Sequence, residues 1–267
     1  MRASGYPVAS ISESGLLPPG VTLKDNGDGT ATLAGTPAWW DRAADYPIVI
    51  TASNGVSPAA AQHFKLVLKY PVKIAVKVPA DAVVGIPVPA TAVLNSGDSH
   101  GTVSFSDSLN GGAAVPVPGC QDMPLFDDTA RCLFTPASSA GPGACKVTAS
   151  YSGDARYAGA TGSASVAAQA RTSLALTSSA ARSAGSPLTM TAAVRPVPDA
   201  GTVTFQVTGP NGERVALPAS CTAAPVGTGT VTCVFTPAAR GVYHVSVAYS
   251  GDSLYLKSAA SVTVKVA

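Results

Sequence analysis

The sequence predicts an all-β protein built from β-sandwich domains in tandem, and three observations support this prediction. Apolar residues alternate with polar ones over short segments, as at Val203, Phe205 and Val207, which is the period of a half-buried strand. The 26 glycines and 22 prolines supply turn signals between these segments. A set of short motifs recurs after about 100 residues, the length of one domain. No segment keeps a helical period over more than about ten residues.

Charge and apolar patterning argue against two classes of partner. Seventeen Lys and Arg residues balance fifteen Asp and Glu residues, and the chain lacks the basic cluster that nucleic-acid binding requires. The longest stretch without a formal charge, residues 215–239, is interrupted by Pro218, Pro225 and Pro237, so it cannot form a continuous apolar helix. We therefore expect neither a nucleic-acid partner nor a membrane span.

Three motifs define the repeat. Gly101-Thr-Val-Ser-Phe105 recurs at 201–205, Cys132-Leu-Phe-Thr-Pro136 at 233–237 and Tyr151-Ser-Gly-Asp154 at 249–252, with offsets of 100, 101 and 98 residues. A period near 100 residues is a domain and not a solenoid unit. The chain is therefore predicted to contain two copies of one domain, at residues 73–168 and 170–267, after a first domain at residues 1–70. About seven short strands in each copy indicate an immunoglobulin-like sandwich.

The same motifs resemble a known family. Gly-Thr-Val-x-Phe, a cysteine pair, Phe-Thr-Pro and Tyr-Ser-Gly-Asp, in this order, are similar to the bacterial Ig-like repeats of the group 3 type, which occur in tandem in secreted and surface proteins. The first domain resembles the bacterial "putative Ig" domain through Leu16–Val21, Asp25–Thr30, Leu33–Pro37 and Tyr46–Asn54. The resemblance implies three Ig-like sandwiches in a row. The family's first two strands have no counterpart ahead of residues 3–6, so the first domain is expected to lack its N-terminal strands.

Five cysteines lie at positions 120, 132, 145, 221 and 233. Cys120 and Cys132 have the same spacing as Cys221 and Cys233, and neither the short Cys spacing nor the nearby His that zinc needs is present. We predict two local disulfides, each closing a loop of about 13 residues, which indicates a secreted or surface protein. Cys145 aligns with an inward-facing Tyr, so it is predicted to be a buried free thiol, with an intermolecular disulfide as the alternative.

Three short motifs have a chemical interpretation that their context does not support. Gly251-Asp-Ser-Leu254 reads as the nucleophile block of the GDSL esterases, but none of the 13 residues after it is His or Asp, so the serine would lack its base. Gly97-Asp-Ser-His100 precedes a strand and predicts a turn. Asp25–Gly29 predicts a hairpin turn and not a calcium loop, because the twelfth position holds Thr36 and not Glu.

The histidines, at 63, 100 and 244, lie far apart and are expected on strand surfaces. We therefore expect no catalytic, cofactor or metal site.

Trp39 and Trp40 are the only tryptophans, and they follow the turn that ends at Pro37. Adjacent residues of a strand face opposite sides, so at least one of the two rings is expected to reach the surface. The favoured interpretation is that the rings cover the end of the first domain or its contact with the second. The alternative is that they contact a glycan or a protein partner.

These observations predict a non-enzymatic, extracellular or cell-surface segment of a larger bacterial protein that serves as stalk, spacer or adhesion module. Short linkers at 69–72 and 167–172 predict an extended rod. Two alternatives remain: a carbohydrate-binding module that uses Trp39 and Trp40, and a fibre subunit, or homopolymer, in which a strand of another chain completes the first domain. No signal-peptide pattern follows Met1, so we expect either an artificial start or an export signal further upstream.

Overall fold

The computed structural model describes residues 1–38, 43–136, 141–179 and 183–267. These residues contain 21 strands and no α-helix, which confirms the all-β prediction. The strands form three groups, each with its own buried apolar cluster. We call these groups the N-terminal, middle and C-terminal units. A helix of the length and apolarity needed for membrane crossing is absent from the described residues.

The N-terminal unit has five strands. They are β1 (Ser10–Gly15), β2 (Val21–Asp25), β3 (Ala31–Gly35), β4 (Ala44–Ser53) and β5 (Ala60–Leu68). An antiparallel sheet has the order β1-β4-β5, and β2 pairs with β3 in a hairpin. The buried cluster between them is small and comprises Ile11, Ala31, Ile48 and Ile50. The start of the chain extends the hairpin, since the Ala3 N–H donates to the Gly29 carbonyl at 2.8 Å.

One side of the N-terminal unit is incompletely covered. Phe64 of β5 lies directly opposite the buried Ile48 of β4, so both side chains share the inner face of the sheet. Phe64 is nevertheless 38% exposed to solvent. Among the described residues β5 pairs only with β4 and forms an edge of the sheet. Completion of this unit by a strand of another chain stays a prediction.

The middle unit is a two-sheet sandwich. Its strands are β6 (Ile74–Lys77), β7 (Asp81–Val83), β8 (Val88–Leu94), β9 (Thr102–Leu109), β10 (Val115–Pro116), β11 (Met123–Pro124), β12 (Thr129–Phe134), β13 (Gly143–Tyr151) and β14 (Ala160–Gln169). One sheet has the order β12-β8-β6 and the other β10-β9-β13-β14-β7, with β11 also paired to β9. Residues of alternating parity face the core, as Val147, Ala149 and Tyr151 do along β13.

The C-terminal unit repeats this arrangement. Its strands are β15 (Ser173–Ser178), β16 (Leu188–Arg195), β17 (Thr202–Thr208), β18 (Ala224–Pro225), β19 (Thr230–Phe235), β20 (Gly241–Tyr249) and β21 (Ser258–Val266). Its sheets have the orders β15-β16-β19 and β18-β17-β20-β21. Even the register agrees, because Val203 pairs with Tyr249 as Val103 pairs with Tyr151. The repeated motifs therefore occupy equivalent places in two equivalent sandwiches.

No sheet among the described residues contains strands of two units. The division of the chain into domains at 1–70, 73–168 and 170–267, and the number of independent domains, stay predictions.

Both predicted disulfides are present in the structure. Cys120 is joined to Cys132 and Cys221 to Cys233, with Cα atoms 5.6 and 5.1 Å apart. In the middle unit the first cysteine precedes β11, which pairs with β9, whereas the second lies in β12 of the opposite sheet. Each bridge thus closes the chain segment that crosses from one sheet of its sandwich to the other.

Candidate functional site: the junctions between the units

The chain passes from one unit to the next through short linkers. Residues 170–172 separate β14 from β15, and residues 69–73 separate β5 from β6. In each linker, one residue uses both its backbone N–H and its backbone carbonyl to bond backbone groups of a loop in the unit that the chain is entering. We call this linker residue, together with the loop residues that bind it, a linker clamp.

The clamp of the C-terminal unit holds Ala170. Its N–H donates to the Leu254 carbonyl at 2.8 Å, and its own carbonyl accepts from the Leu256 N–H at 2.9 Å. The two bonds form a parallel bridge between Ala170 and Tyr255. A backbone that both donates and accepts at one point is fixed in position and direction.

Neighbouring side chains strengthen this clamp. Gln169, the last residue of β14, donates from Nε2 to the Asp252 carbonyl at 3.1 Å. Thr172 donates from Oγ1, with the Leu256 carbonyl at 2.9 Å and the Ser258 hydroxyl at 2.7 Å within bonding distance. The residues on either side of Ala170 along the chain, Gln169 and Thr172, are therefore also hydrogen-bonded to the C-terminal unit.

The clamp of the middle unit is built in the same way around Tyr70. Its N–H donates to the Arg156 carbonyl at 2.8 Å, and its carbonyl accepts from the Ala158 N–H at 2.9 Å. The rings of Tyr70 and Tyr157 lie 6.0 Å apart, within the range of aromatic contact. The same backbone geometry thus recurs at both junctions, although the linker residue itself differs.

An aspartate shapes each loop that binds a linker. Asp252 Oδ1 accepts from the N–H groups of Leu254 and Tyr255 at 2.8 and 2.7 Å. Its Oδ2 accepts from the Tyr249 hydroxyl at 3.0 Å. The carboxylate therefore holds the turn that presents the Leu254 carbonyl to Ala170.

Asp154 has the same role in the middle unit. Its Oδ1 accepts from the N–H groups of Arg156 and Tyr157, both at 2.7 Å. Its Oδ2 accepts from the Tyr151 hydroxyl and the His100 N–H, both at 2.9 Å. Four donors converge on one carboxylate, so the negative charge is well satisfied.

The serine and glycine of the Tyr-Ser-Gly-Asp motif also have a physical reason. The Ser250 hydroxyl oxygen accepts from the Thr202 N–H at 3.0 Å and ties the loop to β17. Gly251 has φ of 76°, a left-handed conformation that residues with a Cβ rarely adopt. A Cβ atom there would lie 2.9 Å from the Lys257 nitrogen. The whole motif is therefore explained by the shape of the clamp loop.

Electrostatics agree with this geometry. Desolvation disfavours the charged form of Asp154, but the N–H groups of His100, Tyr157 and Arg156, with the Tyr151 hydroxyl, outweigh it and lower the pKa to about 2. Desolvation and the neighbouring Asp154 carboxylate raise the pKa of Tyr151 to about 12. In the C-terminal unit, desolvation and Asp252 likewise raise the pKa of Tyr249. Each tyrosine thus remains a neutral donor to its aspartate.

The middle unit is expected to lose stability in acid through Asp154. The pKa of this carboxyl is about 2 in the folded protein, against 3.8 for an ordinary Asp. Its stabilisation is therefore complete above about pH 4 and is lost as the pH falls towards about 2. The urea midpoint of the middle unit, followed by the NMR signals of β13, measures this loss. In Asp154→Asn the midpoint at neutral pH is lower and the acid decrease shallower; an unchanged acid decrease contradicts the assignment.

The GDSL-like segment is part of the C-terminal clamp. The Asp252 carboxylate is occupied by Leu254, Tyr255 and Tyr249, and the Ser253 side chain lies exposed in the turn. In the middle unit, residues 97–100 form a loop in which the Ser99 N–H donates to Asp128 at 3.0 Å. Both segments thus have a structural role in their turns.

The other candidate residues are dispersed. Residues 26–30 form the turn between β2 and β3, and Asp25 Oδ2, at the end of β2, accepts from the Ile11 N–H at 3.0 Å. The three histidines are exposed, His63 and His244 on strands and His100 in a loop. Within the described ranges, no group of three His, Cys, Asp or Glu side chains could hold a metal ion. Trp39 and Trp40 lie outside the described residues.

Cys145 is free and fully buried in β13, between Leu109 of β9 and Val166 of β14. Desolvation, and then the Asp107 carboxylate, raise the pKa of its thiol. A neutral thiol in a packed core is a poor nucleophile. An intermolecular disulfide at this position would require the sandwich to open.

The clamps are the feature that reasoning from the sequence missed. In the sequence the Tyr-Ser-Gly-Asp motif serves only to mark the repeat, whereas the structure also shows that the loop beginning in this motif binds a residue about 84 positions earlier. A signal was present, because both repeats extend the motif to a second tyrosine, at Tyr157 and Tyr255. A turn alone does not require a tyrosine at that place.

Comparison with known proteins places the repeats in context. A family model, bacterial Ig-like domain (group 3), matches residues 175–267. Among solved structures, the chain is similar to a tetra-tandem repeat in the extending region of a large adhesion protein, with 15% identity, a TM-score of 0.43 and coverage of 98% of this chain and 67% of that one. It is also similar to the mouse nectin-like molecule 4 ectodomain (Ig1–Ig3), with 11% identity, a TM-score of 0.41 and coverage of 99% and 92%.

A third similar structure is Escherichia coli alpha-2-macroglobulin, with 13% identity, a TM-score of 0.33 and coverage of 97% of this chain and 29% of that one. No curated protein matches the chain. The family match covers the C-terminal unit, and the middle unit shares its strand order, its register and its disulfide. The chain thus carries two equivalent sandwiches in tandem, and its residues 175–267 match the family model of the bacterial Ig-like domain of group 3.

Proposed function

We propose that this chain is an extracellular spacer whose linker clamps hold successive Ig-like units in a fixed orientation. One observation carries the proposal. Gln169 is still bound to the middle unit, since its carbonyl accepts from the Val84 N–H at 2.9 Å, and the next residue, Ala170, is already bound to the C-terminal unit. No unrestrained residue lies between the two units at this junction.

The junction between the N-terminal and middle units supports the same function, although one residue of its linker is less restrained. β5 ends at Leu68 and Tyr70 is clamped by the middle unit, so Lys69 alone separates the two. A chain of units joined without slack keeps its end-to-end distance, whereas flexible linkers let the ends approach each other. Reach is thus the property that such a chain can supply to a surface or secreted protein.

The disulfides favour the extracellular part of the proposal. Each bridge closes a short loop within its own unit, and bonds of this kind persist in oxidising surroundings and are rare in reducing ones. They also stabilise each unit separately, which suits a protein that works under tension or exposure outside the cell.

Small-angle X-ray scattering of the full chain, compared with an Ala170→Pro variant, tests the spacer function. A compact globule of 267 residues has a radius of gyration of roughly 18 Å, and we expect a value well above this. Proline removes the N–H that donates to Leu254, so the variant is expected to show a broader distance distribution. Ala170→Ser keeps that N–H and is the matched control.

Two results contradict the spacer function. A radius of gyration near the compact value means that the units fold back on one another. An unchanged distance distribution in Ala170→Pro, with all three units still folded by NMR, means that the clamp does not fix the orientation.

A further inference from the structure

A surface groove beside an exposed aromatic ring lies at the tip of the disulfide-closed loop of the middle unit. Phe126 is 75% exposed there, beside a groove of about 390 Å³ lined by Met123, Pro124, Phe126, Asp127, Thr129 and Arg131. Among the described residues, neither the Asp127 carboxylate nor the Arg131 guanidinium has a hydrogen-bonding or ionic partner. The groove thus combines an exposed ring with a carboxylate and a guanidinium that have no partners among the described residues.

The C-terminal unit shows that this chemistry is not needed to build the loop. Its equivalent loop also runs between two bridged cysteines of the same spacing, yet Gly227, Thr228 and Thr232 stand where Phe126, Asp127 and Arg131 lie. The backbone contact that anchors the tip is kept, from the Leu94 N–H to the Asp128 carbonyl and from the Val194 N–H to the Gly229 carbonyl. The ring and the guanidinium are therefore not required by the length of the loop, its disulfide or this anchor.

The turn at the tip explains the two aspartates but not the ring or the guanidinium. Asp127 and Asp128 have φ of 48° and 56°, in the left-handed region, and Phe126 and Thr129 on either side exchange two backbone hydrogen bonds. Asp is one of the residues preferred in such a hairpin turn. The turn gives no reason, however, for an exposed phenylalanine at 126 or for Arg131.

The backbone that carries the groove is held in place by hydrogen bonds and the disulfide. Phe126 and Thr129 exchange two backbone hydrogen bonds, each of 2.9 Å. The Asp128 carboxylate accepts from the Ser96 hydroxyl at 2.8 Å and from the Ser99 N–H at 3.0 Å, and a disulfide closes the loop. A ring on such a support loses little conformational entropy when it binds a ligand.

We propose that this groove binds a neutral saccharide through one pyranose ring. The apolar C–H face of the sugar stacks on Phe126, while its hydroxyls donate to Asp127 and accept from Arg131. One carboxylate and one guanidinium leave the groove without net charge, which favours a neutral ligand. Its volume lies near the lower end of the range for small-molecule sites, as suits a single ring. This inference is independent of the spacer function.

Titration of the ¹⁵N-labelled full chain with N-acetylglucosamine, methyl β-glucopyranoside, methyl α-mannopyranoside and methyl β-galactopyranoside tests the proposal. At least one of them is expected to shift the amide signals of residues 123–131, with a dissociation constant on the order of 1 mM. Glycerol, which has hydroxyls but no ring face, is expected to leave these signals unchanged. The equivalent amides of residues 224–232 are an internal control, because they should not move.

Variants copied from the C-terminal unit give the sharpest comparison. Phe126→Gly is expected to weaken binding by at least about tenfold and Arg131→Thr by about threefold to tenfold, whereas Phe126→Trp retains it. Leu133→Ala removes another exposed apolar side chain, 66% exposed, outside the groove, and leaves binding unchanged. Amide signals of β9 and β12 that match those of the wild type are required of each variant, so that lost binding is not mistaken for lost fold.

Two outcomes overturn the proposal. One is that none of the four sugars shifts residues 123–131 at concentrations up to about 50 mM. The other is that these signals shift with protein concentration alone and that Phe126→Gly removes this shift, which identifies the surface as a contact between two copies of the chain.

Discussion

Replacing Cys221 and Cys233 together by alanine is expected to lower the free energy of unfolding of the C-terminal unit by about 3 kcal/mol. The bridge closes a short loop between residues that are both almost fully buried, so its loss frees the unfolded chain and also loosens the link between the two sheets. Hydrogen exchange of the β16 and β20 amides under conditions of global unfolding measures the change, since these strands carry the core.

The middle unit supplies the control for this experiment. Its own bridge, Cys120–Cys132, remains in the variant, so the exchange of the β13 amides should be unaffected. Reduction of the wild-type protein is expected to destabilise both units by similar amounts, because the two loops have the same length. Unchanged exchange of the β16 and β20 amides in the alanine variant contradicts the stabilising role of the bridge.

Asp252→Ala is expected to destabilise the C-terminal unit by about 2 to 4 kcal/mol and to release the linker. The substitution leaves the N–H groups of Leu254 and Tyr255 without their acceptor, while the Tyr249 hydroxyl keeps the Ala200 carbonyl at 2.9 Å. Bonds to a charged acceptor contribute about 1.5 to 3 kcal/mol each. The amides of Ala170 and Leu256, which form the clamp, should therefore lose protection relative to the wild type.

Two further variants serve as controls for the Asp252→Ala experiment. Asp252→Asn keeps one oxygen acceptor without the charge and is expected to have a smaller effect. Lys257→Ala changes an exposed residue of the same loop and is expected to leave the exchange of the Ala170 amide as it is in the wild type. If Asp252→Ala leaves the protection of Ala170 and Leu256 intact, the aspartate does not organise the clamp.

Reasoning from the sequence recovered the features that depend on local patterns. Alternation at positions such as 203, 205 and 207 predicted strands, and the structure buries all three side chains. Equal spacing of the cysteines led to the two bridges that the structure contains. Period and spacing are properties of neighbouring residues, so one sequence is enough to read them.

The clamps and the groove could not be predicted in this way. Ala170 and Leu254 are ordinary apolar residues whose contact is made by backbone atoms, and backbone groups are the same in every sequence. The groove depends on how exposed Phe126 is, and a lone aromatic in a loop is compatible with either burial or exposure. Only the comparison of two equivalent loops in one folded chain separates what the scaffold requires from what has been added to it.

Residual dipolar couplings of the full chain in a weakly aligned medium test the central claim most directly. The claim is that the linker clamp at Ala170 makes the middle and C-terminal units orient as one body. It predicts that the couplings of β13 and β14 and those of β20 and β21 fit one alignment tensor in the wild type, and that Ala170→Pro separates them into two. Two tensors of clearly different magnitude in the wild type would contradict it, because they mean that the units reorient independently.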